Sequence, residues 1–460
     1  MALLVKSIYA RIDQLSGVSA AGTTLGRELR AALTTFLAMA YILFVNPQIL
    51  SAAISIPGAN NTNAQLLSAT ALAAAFGSIL MGLLARLPIA LAPGMGLNAY
   101  FTYTVVLGQG VPWPAALGAV FISGIVFLFL SVSGVREAVV NAIPLSIKRA
   151  SGAGIGMFLG LIGLQSGGIV IINPSTMIGL GDLGSPRALL ALGGLVVIGA
   201  LLVRRVPGAI LLGICLVSLL AVVLRLPVYD GKEFTGFNSG LAAIASWPVW
   251  PRDLLGALDL KGALSASLIG VVVTFLFVAF FDTAGTLLGL AETAGFTDDQ
   301  GRMRRAGQAF STDALATSVG AFLGTSTTTA YMESAAGIED GGKTGLVAIF
   351  TGLLFLVALF FWPLAAAVPP AATAPALLIV GAMLIEAAGR IDWRNHHESI
   401  PAFVTMIAMP FTFSIANGIS IGIITHVLIS LLGGRWREIH PVMYLLAIIL
   451  GIRYLWSAGH

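Results

Sequence analysis

Residues 88–101 read PIALAPGMGLNAYF, and residues 324–346 read GTSTTTAYMESAAGIEDGGKTGL. Both interrupt long apolar runs, and neither begins like a helix. Pro88 and Pro93 lack backbone donors, and Gly94 and Gly96 are poor helix formers. The Ser/Thr run at 325–329 favours extended chain and caps a helix that follows it. Each stretch therefore predicts a short extended segment leading into a half-helix. Non-helical backbone at membrane depth persists only where it lines a cavity or is buried in protein. Two such breaks point to one shared site, and Gly96, Asn98, Met332 and Glu333 lie on them as candidate substrate-binding residues.

The rest of the chain supplies the membrane. Hydrophobic residues make up 57% of the 460 positions and charged residues 10%, against roughly 45–50% and about 25% in a soluble domain. Mean hydropathy is +0.96. A water-soluble fold of this length needs far more charge to cover its surface. Disorder, coiled coil, collagen and a disulfide scaffold are excluded. Apolar runs near 29–47, 65–85, 89–107, 113–132, 150–172, 187–203, 207–224, 266–290, 308–323, 327–340, 344–366, 372–389, 400–415 and 417–433 predict about fourteen membrane spans. The runs are continuous rather than alternating, which argues against a β-barrel. A further run at 441–457 is expected as an interfacial or an extra helix.

With the N-terminus placed in the cytoplasm, most of the 24 Lys and Arg fall in inside-facing segments, as basic residues do in short cytoplasmic loops. The net charge of +4 is too small and too evenly spread for a nucleic-acid partner. Cys215, the single cysteine, can form neither an intramolecular disulfide nor a thiolate metal cluster. Residues 1–28 show no cleavable signal peptide and read as a cytoplasmic tail.

The two halves echo each other. Thr35–Phe36–Leu37 and Ala40 match Thr274–Phe275–Leu276 and Ala279; Ala99–Tyr100 matches Ala330–Tyr331; residues 208–213 match 418–422 less well. The matches keep chain order at an odd offset of about seven spans, so the halves must be inverted in the membrane. Inverted repeats are a transporter signature, with the site at mid-membrane between them.

Asp282, Glu333 and Glu386 lie inside apolar runs, where a carboxylate costs at least about 2.5 kcal/mol. Asp282 sits mid-run in VVVTFLFVAFFDTAGTLLGL, with Thr286 one turn later and Gly285 and Gly289 forming a small-residue strip that permits close helix approach. Glu333 opens its half-helix, where the positive dipole end favours the ionised form. Two such acids close together are expected to hold one proton between them near pH 7, with Asp282 as the proton carrier. HExxH, a nucleotide-binding loop and paired metal ligands are lacking, so neither an enzyme nor a metal cofactor is expected.

APGMGLNAYF (92–101), FFDTAGTLLGL (280–290) and GTSTTTAYMESAAGIEDGGKTGL (324–346) resemble the signature segments of the nucleobase–ascorbate transporters (NCS2), in particular the AzgA-like branch of adenine and guanine/hypoxanthine permeases. The likeness runs from about Gly22 to Tyr454. It implies an all-α polytopic membrane protein with a seven-plus-seven inverted repeat. A core domain (29–132 and 266–366) would bind substrate, and a gate domain (150–225 and 372–433) would pack against it. Residues 226–265 would form an extracytoplasmic loop, and 434–460 a C-terminal segment. The resemblance implies proton-coupled uptake of a purine base across the cell membrane by an elevator or rocking movement, with the proton as coupling ion, no cofactor, and a homodimer formed through the gate domain. The family's span 8 acid falls on Asp282, its span 10 acid on Glu333, its span 3 asparagine on Asn98 and an aromatic on Tyr331. Other branches carry Glu in span 8, often with His one turn later. Here the pair is Asp282 and Thr286, so no histidine relay is available at that position. Two alternatives remain open to the residues themselves: the same fold carrying a pyrimidine or another small substrate, and, more remotely, a channel or membrane-embedded enzyme.

Overall fold

The computed structural model describes residues 17–56, 61–133, 144–229, 244–265, 268–297 and 303–457. Five of the 24 basic residues, Lys6, Arg11, Arg136, Lys232 and Arg302, lie outside them, as do Asp298 and Asp299. Among the described residues nine helices are long and apolar enough to cross a membrane: Leu25–Ser51, Thr62–Ala85, Trp113–Val132, Leu145–Ser166, Pro186–Val203, Ile269–Ala291, Gly345–Ala365, Pro370–Arg390 and Ile415–Leu432. They are spans 1, 2, 4, 5, 6, 8, 11, 12 and 14. Three helices are shorter or more polar: span 7 (Ala209–Val223), span 9 (Ala306–Leu323) and span 13 (His396–Phe411). Spans 3 and 10 are broken. The outlying helix Pro441–Ser457 follows span 14 and packs on it.

The breaks fall where proline, glycine and threonine placed them. Span 3 runs as a strand, β1 (Leu91–Pro93), then a half-helix Met95–Ala99 that widens into Tyr100–Gly108. Span 10 runs as β2 (Thr328–Ala330), then a half-helix Ser334–Glu339. The two strands pair antiparallel, with Leu91 opposite Ala330, Ala92 opposite Thr329 and Pro93 opposite Thr328. All six residues are buried. Extended backbone can lie at this depth because its polar groups find partners. Gly94 N donates to Thr327 O at 2.8 Å and Tyr331 N to Ala90 O at 3.1 Å. Ser78 Oγ accepts from Leu91 N, Ser334 Oγ accepts from Ala90 N, and Thr317 Oγ1 donates to Thr328 O.

Spans 1–4 pack chiefly with one another and with spans 8–11, and spans 5–7 with spans 12–14. Glycines permit the closest crossings. A Cβ on Gly345 would meet the backbone of Gly82, joining spans 2 and 11, and one on Gly156 would meet the backbone of Gly381, joining spans 5 and 12. Such small-residue contacts let backbones approach and multiply van der Waals contact in lipid.

Span 1 begins at Leu25, capped by Thr24, rather than near residue 29. The reason is Glu28, which is fully buried. Its carboxylate accepts from Lys343 N at 3.0 Å, Thr344 N at 3.1 Å and Thr344 Oγ1 at 2.6 Å, tying span 1 to the start of span 11. Nearby, the exposed Arg30 pairs with Asp340 at 2.9 Å. Glu28→Ala is expected to destabilise the protein by at least about 2 kcal/mol, since bonds to a charged group are worth ~1.5–3 kcal/mol and the buried donors lose their partner. Arg30→Ala should change little, because exposed pairs contribute ~0–1 kcal/mol. Thermal midpoints of the two purified variants check this; equal loss in both would refute the distinction.

Glu386 does not lie in an apolar interior. It stands in the last turns of span 12 with its side chain 80% exposed, 3.6 Å from Arg390. A turn of 3-10 helix at Glu386–Arg390 ends the span there.

Candidate functional site

The crossing of β1 and β2 brings spans 1, 3, 8, 9 and 10 together. Asp282 comes from span 8 and is half-buried. A Cβ on Gly94, where span 3 turns from strand to half-helix, would lie 3.9 Å from Asp282 Oδ2. Among the described residues no protein group hydrogen-bonds to the Asp282 carboxylate. Beside it, a Cβ on Gly285 would meet nothing within 4 Å, and Thr286 is 9% exposed. An acid without a partner among the described residues, next to open space, can accept hydrogen bonds from a ligand.

Glu333 occupies the N-cap position of the span 10 half-helix and is also half-buried. Tyr41 OH donates to its Oε1 at 2.5 Å. Tyr41 lies at the turn between Met39 and Ile42 in span 1. Tyr331 is buried, and its OH donates to Pro93 O at 2.5 Å, locking the half-helix of span 10 onto the strand of span 3. Asp282, Glu333, Thr286 and Tyr331 thus gather around the crossing.

The other expected residues play different parts. Met332 is 48% exposed and lies over Gly289 of span 8. Gly96 faces span 5: a Cβ there would press into the Ile155 side chain, so its small size serves packing. Asn98 is fully buried and its Nδ2 donates to Asn46 Oδ1. Asn46 in turn donates to Thr70 Oγ1 at 2.7 Å and Thr325 Oγ1 at 3.0 Å, while Asn98 Oδ1 has no hydrogen-bond partner among the described residues.

Asp313 escaped the sequence reading. It is fully buried in span 9, where it accepts from Thr283 Oγ1 at 2.6 Å and from Ala330 N at 2.9 Å. Thr283 Oγ1 also lies 3.1 Å from Thr329 Oγ1. Asp282 and its neighbour Thr283 therefore face different ways: the acid toward Gly94, the hydroxyl into the strand of span 10. Asp313 sits in AFSTDALATSVG (309–320), whose Ser and Thr made it look less anomalous than an acid in pure hydrocarbon. The signal was there in the Ser/Thr content, which marks a helix facing polar protein rather than lipid. Tyr41 and Asn46 gave no such signal.

Three kinds of comparison bear on this arrangement. The Xan_ur_permease family model, described as "Permease family", matches residues 26–421. The chain belongs to the NCS2 permease family. This NCS2 permease is 44% identical to the guanine/hypoxanthine permease PbuG of Bacillus subtilis over 94% of its own length and 97% of that protein. It is 40% identical to the adenine permease AdeP of Escherichia coli over 95% of each chain. Among solved structures, the transmembrane domain of the cyanobacterial bicarbonate transporter BicA superposes with a TM-score of 0.63 at 15% identity, covering 85% of this chain and 97% of that one. That likeness is one of fold. The NCS2 permease is a multi-pass membrane protein and a transporter rather than an enzyme.

Proposed function

We propose that the protein is a proton-coupled symporter of purine nucleobases (adenine, guanine or hypoxanthine) in the cell membrane, with its N-terminus in the cytoplasm. The observation that carries this reading is the pair Asp282 and Glu333 at the crossing of two half-helices, in a chain whose relatives are named as adenine and guanine/hypoxanthine permeases. A purine offers ring N–H donors and ring nitrogen acceptors. The Asp282 carboxylate, which has no hydrogen-bond partner among the described residues, suits an N–H donor. Glu333, oriented by Tyr41, suits a second. Two central carboxylates disfavour an anionic substrate. With one proton held between the acids, charge is balanced when the base is bound, so base and proton favour the same closed state. No resident cofactor or metal enters this scheme; the proton is the coupling ion.

In this scheme the core domain (29–132 and 266–366) carries the site and slides or rocks against the gate domain (150–225 and 372–433). Two copies associate through their gate domains. The contact of Gly96 with Ile155 lies where these two bodies meet. Uptake of radiolabelled purine in competition with unlabelled adenine, guanine, hypoxanthine and uracil, with and without a protonophore, tests the proposal. Competition by purines alone and collapse with protonophore are expected. Protonophore-insensitive downhill flux would overturn the coupling, and competition by uracil alone would overturn the substrate class.

Asn98→Ala is expected to raise the apparent KM and reorder preference among the purines. It removes a directional group whose Oδ1 lacks a partner among the described residues, without removing a charge. Unchanged ranking of adenine, guanine and hypoxanthine in the variant would confine Asn98 to its bond with Asn46.

A further inference from the structure

Where spans 1–4 and 8–11 meet spans 5–7 and 12–14, the contacts change character along the seam. Gly96 of span 3 packs on the Ile155 side chain of span 5, and a Cβ on Gly208, which opens span 7, would meet Leu37 of span 1. Both are van der Waals contacts. At one end of the seam the contacts are hydrogen bonds. Gln48, near the C-terminal end of span 1, uses both ends of its amide. Its Nε2 donates to Val368 O at 3.1 Å, and its Oε1 accepts from Thr373 Oγ1 in the first turn of span 12. Thr104 Oγ1, in the widened half-helix of span 3, donates to Phe413 O in the turn between spans 13 and 14. Spans 1, 3, 11 and 13 end, and spans 12 and 14 begin, on the side opposite the N-terminus. Both sets of bonds therefore close the same end.

The backbone around these bonds is strained on one side and irregular on the other. Phe413 has φ +47°, in the left-handed region that a phenylalanine rarely enters. Its ring rests edge-on against Phe158 of span 5 with centroids 5.9 Å apart, and its carbonyl is the one that Thr104 takes. Such strain persists only where the surroundings hold it, and it gathers at moving parts. On the other side, Tyr100–Gly108 is π-helix, a wide turn frequent at functional sites. The opposite end of the site is looser. Gly285 and Gly289 follow Asp282 along span 8 toward the N-terminal side. A Cβ on Gly285 would meet nothing within 4 Å, and Met332, beside Gly289, is 48% exposed.

We propose that Gln48 and Thr104 form a latch that holds shut the end of the site opposite the N-terminus, with Thr373 Oγ1 and the carbonyls of Val368 and Phe413 as its partners. The latch opens when the site turns to that side, and its hydrogen bonds set how much of the protein stands closed there. The proposal rests on the reading of the protein as a transporter whose site opens to one side at a time. Gln48 and Thr104 are positioning residues: they govern which side reaches the crossing, not the chemistry of the bound base.

The test puts a reporter thiol behind the latch. Ala376 lies one turn beyond Thr373 on the same face of span 12 and is fully buried. Ala376→Cys is made in a Cys215→Ser background, which removes the single native cysteine. Membrane vesicles holding the full chain receive a membrane-impermeant maleimide on the side opposite the N-terminus. Labelling is expected to be slow, and roughly tenfold faster once Gln48→Ala/Thr104→Val is added, since each lost hydrogen bond shifts the equilibrium severalfold. A second variant keeps the latch shut instead. In the same background, without the reporter, Gln48→Cys/Thr373→Cys is joined by a short, reducible thiol cross-linker. Purine uptake should be lost and return on reduction, while purine binding to the purified protein persists. Unchanged labelling in a double variant with the wild-type thermal midpoint overturns the latch, and so does full uptake by the cross-linked protein. Labelling needs no purine, so absence of purine uptake in the wild type would sink the symport reading while labelling still decides the latch.

Discussion

Purine uptake is expected to fall at least tenfold in Asp282→Asn and in Glu333→Gln, with both proteins still inserted in the membrane. Each change keeps the side chain's size and removes its charge. A hydrogen bond to a charged group is worth about 1.5–3 kcal/mol, and about 1.4 kcal/mol is already a factor of ten. The two variants should differ in pH response. If substrate and proton stabilise the same state, wild-type affinity for purine tightens as pH falls from about 8 to about 5. Asp282→Asn imitates the protonated acid, so residual binding in that variant should be flat across this range. Calorimetry on purified protein provides the measurement. Wild-type uptake in both inserted variants would remove the acids from the mechanism. A wild-type pH profile in Asp282→Asn would move the proton to Glu333.

Asp313→Ala is expected to damage both stability and transport, and more than any change at the rim of the site. Its carboxylate accepts from Thr283 Oγ1 and Ala330 N in a fully buried position. Removing it leaves two donors unpaired, at about 1–3 kcal/mol each, and opens a cavity in a packed interior. It also frees β2 where Ala330 N anchors it, one residue before Tyr331 and close to Glu333. Asp313→Asn keeps an oxygen for Ala330 N and should recover most of the stability. A thermal midpoint for Asp313→Ala equal to that of wild type would show that the strand is held by its ladder alone. Purine KM measured alongside separates a misplaced site from a simple loss of protein.

The membrane class, the inverted halves and the positions of the two breaks were all legible in the sequence. Hydrocarbon tolerates neither charge nor unpaired backbone, so a spanning chain must write its helices as long apolar runs and mark each exception with proline, glycine or threonine. Asp282 and Glu333 were legible for the same reason: an acid amid phenylalanines, or beside a broken helix, stands out against its neighbours. Glu386 also interrupts an apolar run, but apolarity along a run does not say which way a side chain faces. Only the folded chain places it in a final 3-10 turn, exposed beside Arg390.

What tertiary structure alone decided is partnership. The pairing of β1 with β2 joins segments from opposite halves of the chain, and neither strand's sequence names the other. Asp313 and Glu28 look unremarkable in their local context, yet both are fully buried and hold backbone from distant spans. Asn98 turned out to face Asn46, and Tyr41 to face Glu333. Hydropathy fixes that a residue lies in the membrane, but not toward which neighbour its helix is rotated. That rotation is set by how glycine contacts such as Gly82–Gly345 and Gly156–Gly381 let the helices close on one another, a property of pairs of surfaces that no single stretch of sequence contains.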